Sequence, residues 1–181
     1  MQNKILLFFT IFFLTGCGYK PVSHIAKDAM GGNVYVDVII DKRDPKNSVW
    51  IKDSVREGVV SRLNKKLSDD KNADTTIVVA MRSLTLEPLL YDDDGYATSY
   101  KAVVTLEFDT KFKDATAKNV ITTGEYDFAV SQKIKNVRYA DSVLSDTQRY
   151  NAIKEASKEA FDEYIAVIAM QGYDKRRQNV D

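Results

Sequence analysis

A small number of side chains in this sequence have types and spacing that chemistry can use. Cys17 is the single cysteine and follows Leu14-Thr15-Gly16, directly behind an apolar run. Small residues ahead of such a cysteine resemble a bacterial lipobox, where a peptidase cuts before a residue that then carries fatty acids. A buried or free thiol is the other reading of Cys17. With one cysteine there is no disulfide framework and no thiolate metal site. The single histidine, His24, lies in a stretch with no fixed neighbour to make it a catalytic base. Serine catalysis therefore lacks an oriented base. The eight glycines never gather into a phosphate-cradling loop. Neither an enzyme nor a cofactor or metal site is expected.

Asp92-Asp93-Asp94-Gly95 is the strongest acidic run. A calcium loop of the EF-hand kind needs a carboxylate at its twelfth position, and here that position is Val103. A solvated hairpin turn with Gly95 at positive φ is the alternative reading. Lys133, Lys135 and Arg138 cluster at the end of a strand, which suits either an anionic headgroup or simple solvation. Tyr91 and Tyr96 flank the acidic turn and are candidates for partner contact.

The N-terminus reads as an address. Lys4 precedes the apolar stretch Ile5 to Leu14. Ten residues rise only about 15 Å as a helix, half of what crossing a membrane requires. Residues 1–16 are therefore expected to be a signal peptide. Residues 17–32 follow as the acylated N-terminus and a flexible tether. N-acyl and S-diacylglycerol groups on Cys17 would give more than the two anchoring signals that stable attachment takes. Gly18 after the cysteine, rather than aspartate, favours the outer membrane, on its periplasmic side. Lys plus Arg and Asp plus Glu are both 26 in the whole chain. That balance argues against a nucleic-acid partner, which needs a broad positive field.

The elements that must position these residues come from periodicity. Val34, Val36, Val38 and Ile40 alternate as a first strand. Ile51, Val55, Val59, Leu63 and Leu67 repeat every four residues, predicting a helix from about Val49 to Leu67. A less cleanly patterned strand runs from about Thr75 to Leu86. From Thr98 to Phe112, Tyr100, Ala102, Val104, Leu106 and Phe108 alternate with polar residues that only Val103 interrupts. Val120 to Ile134 repeats the pattern. A last helix opens at Ser145-Asp146-Thr147-Gln148, a capping box, and is expected to stop at Gly172. The domain then spans 33–172, with a polar tail over 173–181. The order strand-helix-strand-strand-strand-helix predicts a two-layer α/β sandwich, a four-stranded mixed sheet with both helices on one face. Its long strands would reach about 50 Å if unbroken, beyond the roughly 25 Å apolar height of an outer-membrane barrel.

Leu14-Thr15-Gly16-Cys17-Gly18-Tyr19, the strand-helix pair through Leu67, the hairpin Gly95-Tyr96-Ala97-Thr98-Ser99-Tyr100 and the final helix come in an order that resembles the lipopolysaccharide-assembly lipoprotein family LptE. The resemblance implies a domain held inside the outer-membrane barrel LptD as plug and assembly aid, with lipopolysaccharide as a possible ligand. Basic residues that relatives carry near the second hairpin and before the last helix are replaced here by Asp92, Asp93 and Asp94 and by Ser145-Asp146. Lys133, Lys135 and Arg138 are then the candidate lipopolysaccharide contacts. The alternative is a free-standing periplasm-facing lipoprotein that serves as adaptor of another envelope complex.

Overall fold

The computed structural model describes residues 22–42, 44–69, 72–130 and 144–178. In chain order the elements are α1 (Val22–Ala29), β1 (Asn33–Ile39), α2 (Pro45–Leu63), β2 (Lys66–Ser68), β3 (Thr75–Tyr91), β4 (Ala97–Phe112), β5 (Ala117–Ala129) and α3 (Asp146–Gln178). The sheet order is β2-β1-β3-β4-β5. β1 is parallel to both β2 and β3, while β3, β4 and β5 are antiparallel neighbours. The architecture is the expected mixed α/β sandwich with one more strand and one more helix.

Each difference has a local cause. Asn64 adopts a left-handed conformation (φ 48°) and ends α2 at Leu63, which releases Leu67 into the short strand β2. Asp44 caps the other end, its Oδ1 accepting from the Asn47 amide, and Pro45 takes the first turn. The stretch expected as tether contains α1, whose Ala26 is fully buried, as is Met30 just after it. Eight residues of weak propensity form a helix because they dock on α2 and α3. Gly172 does not stop the last helix, which continues to Gln178 through part of the expected tail. A glycine inside a helix costs about 1 kcal/mol but terminates it only when it takes the left-handed cap.

One face of the sheet is dry. Val34 and Val36 of β1, Ile77 and Val79 of β3, and Ala102, Val104, Leu106 and Phe108 of β4 are fully buried against the helices. The four-residue stripe of α2 survives intact, with Ile51, Val55, Val59 and Leu63 all inaccessible to solvent. From α3, Phe161 and Tyr164 close over Phe108, the Phe108 and Tyr164 rings lying 4.4 Å apart. Tyr164 is wholly buried, and its hydroxyl shares a 2.7 Å hydrogen bond with Thr110 Oγ1. Desolvation pushes this phenol well above the usual tyrosine range.

The two long helices run in the same direction. Lys46 pairs with Asp146 at 2.8 Å, Glu57 with Lys154 at 2.7 Å, and Arg62 with Asp162 at 3.0 Å. Trp50 meets Tyr150 edge-on at 5.2 Å between the first two of these pairs. These contacts, together with the Phe161 ring packed closely on Gly58, fix the register of the helix layer.

Candidate partner-binding face

The strands β3, β4 and β5 have a second face, turned away from the helices, and the alternation in the sequence makes it polar. Lys101 Nζ donates to Glu125 at 2.6 Å and lies 3.9 Å from Asp127. The Glu125 contact is the main reason the Lys101 ammonium holds its proton more firmly than an ordinary lysine. Thr105 and Thr123 hydroxyls meet at 3.0 Å across the same pair of strands. Asn119 donates to Glu107 at 2.8 Å and also to Asp109, while Arg82 pairs with Glu107. These cross-strand contacts link side chains of both charges across the face. Ile121 is an exposed apolar residue within it.

At one end of this face β3 and β4 are joined by the acidic hairpin. Asp92 Oδ1 accepts from the amides of Asp94 (3.1 Å) and Tyr96 (2.8 Å), and the Asp92 amide donates to the Tyr96 carbonyl at 2.9 Å. Gly95 takes φ +83°, as the turn reading requires. Asp92 thus serves the turn itself. No cluster of acidic, histidine or cysteine side chains able to hold a metal occurs among the described residues. Tyr91 and Tyr96 stand exposed at the hairpin, beside Leu89 and Leu90. Tyr100 instead stacks on Phe128 at 6.1 Å, on the core side. Cys17, Lys133, Lys135 and Arg138 lie outside the described residues. No described helix is long and apolar enough to cross a membrane.

Two features of the free strand β5 are absent from the expectations above. The amides of Thr123 and Glu125 donate to side-chain carboxylates of α3, Glu163 at 3.1 Å and Glu159 at 2.8 Å. The edge strand is therefore capped by a helix rather than open to another chain. Gly124, between those amides, lets α3 approach so closely that a β-carbon would stand 1.9 Å from the Ala156 carbonyl oxygen. A glycine in mid-strand is the readable signal for such an approach.

The polar face, the capped edge and the dry face are built by one stretch of chain, β1 through most of α3. A family model described as lipopolysaccharide-assembly, LptE, matches residues 33–166, from the first residue of β1 into α3. The chain belongs to the LptE family. The family unit thus contains the whole sheet, all of α2 and the first part of α3, and α1 lies ahead of it. The chain is also similar to solved structures. A protein from Xanthomonas campestris is 10% identical, with 82% of this chain and 90% of that chain covered and a TM-score of 0.50. Rare lipoprotein B from Shewanella oneidensis is 17% identical over 82% of this chain and 98% of that one, with a TM-score of 0.45. Lipoprotein B from Nitrosomonas europaea is 11% identical over 86% and 93%, also at 0.45. No match is found among curated protein sequences. The LptE membership places the protein in lipopolysaccharide assembly.

Proposed function

We propose that this LptE-family protein is an outer-membrane lipoprotein of the lipopolysaccharide transport machinery, held on the periplasmic side by fatty acids on Cys17. Its α/β domain docks in the lumen of the barrel LptD as plug and assembly partner. The observation that carries this reading is the polar sheet face. A large barrel's interior is polar and wet, and the lattice from Arg82 to Asp127 offers matching donors and acceptors on a rigid surface. The strands β3 and β4 hold 17 and 16 residues, which at about 3.3 Å each exceed the roughly 25 Å height of a barrel's apolar band. Lys133, Lys135 and Arg138 supply the candidate contacts to lipopolysaccharide phosphates in this scheme.

Purification in mild detergent through a C-terminal tag tests the docking. A large barrel recovered in equal amount is expected, whereas recovery of the lipoprotein alone overturns the plug reading in favour of a free-standing adaptor. Labelled palmitate should enter the wild-type chain and not Cys17→Ser. Label persisting in that variant overturns the anchor.

A further inference from the structure

The main-chain groups of β3 leave one edge of the sheet open. Between β4 and β5 the even-numbered residues exchange the ladder hydrogen bonds, continued by the Val130 amide donating to the Thr98 carbonyl at 2.8 Å. The outward amides of Thr123 and Glu125, both odd-numbered, fit that pattern. Odd-numbered residues of β4 must therefore bond β3. Beyond the bulge between Met81 and Ser83, Ser83 faces Thr105, Thr85 faces Val103 and Glu87 faces Lys101. Ser83, Thr85 and Glu87 thus bond inward, and Leu84 and Leu86 aim their N–H and C=O groups away from β4. On that side β1 ends at Ile39, opposite Ala80. Among the described residues no strand pairs with β3 from Met81 onward on that side.

Other edges are treated differently. Glu159 and Glu163 occupy the outward amides of β5. On β1, past the end of its pairing with β2, the Asp37 carboxylate takes the Val38 amide at 2.9 Å. Pro88, next after Leu86 on the open side, has no amide to offer and bounds the gap. Exposed apolar side chains flank both ends, Ile39 and Ile40 where β1 stops and Leu89, Leu90 and Tyr91 beyond the proline.

We infer that Met81–Glu87 is a strand-addition site, which takes an extended main-chain segment of the barrel partner. The inference rests on the docking proposed above and names where the contact forms. An incoming strand fills the line that β1 vacates, bonds the outward groups of Leu84 and Leu86, and covers the flanking apolar residues with apolar side chains of its own. Pro88 fixes its length, because the ladder loses its donor there.

Residue-resolved amide exchange on the full chain, alone and in the purified barrel complex, tests this. Leu84 and Leu86 amides should exchange about 100-fold slower in the complex, while Ser83, Thr85 and Glu87 are already slow in both. That alternation separates strand pairing from coverage of a whole face. Leu86→Pro, which removes an outward donor and leaves the β4 ladder, should lower barrel recovery while β4 amides stay protected. An intact complex in which Leu84 and Leu86 exchange as fast as in the free protein overturns the inference and leaves the plug reading standing. Protection of both amides in the free protein also overturns it. Failure to recover any barrel overturns the plug reading and this site with it.

Discussion

Replacing Gly124 by alanine would press a methyl group into the backbone of α3. The new Cβ would lie 1.9 Å from the Ala156 carbonyl oxygen and 2.4 Å from the Ala160 nitrogen. Both atoms are main chain, so no side-chain rotation relieves the overlap. Ordinary carbon contacts begin near 3.4 Å, so α3 must withdraw from β5 by about 1.5 Å. That shift carries the 2.7 Å bond from Thr122 Oγ1 to the Ala160 carbonyl beyond hydrogen-bonding reach. It also loosens Phe161 and Tyr164 over Phe108. Overpacking costs about 1–3 kcal/mol and a lost buried hydrogen bond about 1 kcal/mol more. A loss near 3 kcal/mol is a large part of the 5–15 kcal/mol that holds a typical domain. At about 3 °C per kcal/mol for a domain of this size, the melting temperature should fall by about 10 °C.

Thermal unfolding of the full chain in mild detergent, followed by circular dichroism, gives the number. Gly95→Ala is the control, since nothing lies within 4 Å of a Cβ there and only the positive φ of +83° is penalised, at about 1–2 kcal/mol. Gly124→Ala should be clearly the more damaging of the two. A melting temperature within 2 °C of wild type would refute the close approach of α3 to β5 and the packing built on it.

Four further outcomes follow from individual contacts. Tyr164→Phe strands the buried Thr110 hydroxyl and should cost about 1–3 kcal/mol in urea unfolding, whereas Thr110→Val combined with Tyr164→Phe should recover part of that loss; an additive double mutant would argue against the bond. Because the folded-state phenol titrates above its unfolded value, the stability it contributes is complete below about pH 10 and is lost as pH rises further. Alkaline melts of wild type should therefore fall more steeply than those of Tyr164→Phe, and parallel curves would contradict the desolvation. Glu159→Ala with Glu163→Ala frees the Thr123 and Glu125 amides and should turn a monodisperse species into higher oligomers by light scattering, with an unchanged mass counting against the edge cap. Asp74 accepts from Lys113 and from the Gly32 and Asn33 amides, which lowers its pKa, so its contribution is present above about pH 4 and lost on further acidification. Asp74→Asn should flatten that acid limb of the stability profile, and an unaltered limb would remove Asp74 from the account.

The parts of the fold legible in the sequence are those where one side chain's burial decides its own position. The alternation of Ala102, Val104, Leu106 and Phe108 gave β4 its dry face, and Ile51, Val55, Val59 and Leu63 gave α2 its stripe, because strand and helix periods are local properties. The missed elements are stabilised from elsewhere. α1 has eight residues and stands only because Ala26 and the following Met30 are covered by other helices. β2 has three residues, and its strand state depends on pairing with β1. The end of α2 is hidden from the sequence because Leu67 continues the four-residue spacing, and nothing in periodicity announces that Asn64 turns left-handed. Of the residues on the candidate face, the exposed positions of Tyr91 and Tyr96 could be read from the turn. The capping of β5 by Glu159 and Glu163 could not, since on a helix surface two glutamates look like ordinary solvated charge.

The distribution of these contacts assigns the surfaces. Gly124, Glu159 and Glu163 all act to seat α3 on β5, and together they seal one edge of the sheet and the end of its dry face. The polar lattice and the β3 edge receive no such cover among the described residues. Substitutions at the sealed side should therefore lower the melting temperature in proportion to the packing lost, whether or not a barrel is present. Substitutions on the lattice, such as Lys101→Ala, remove a solvent-screened surface ion pair and should leave the free protein's melting nearly unchanged. If the lattice meets the barrel wall, the same change must appear as lost barrel recovery. Stability and association thus separate by face, and a lattice substitution that unfolds the free domain would show that this face is part of the fold rather than a surface kept for a partner.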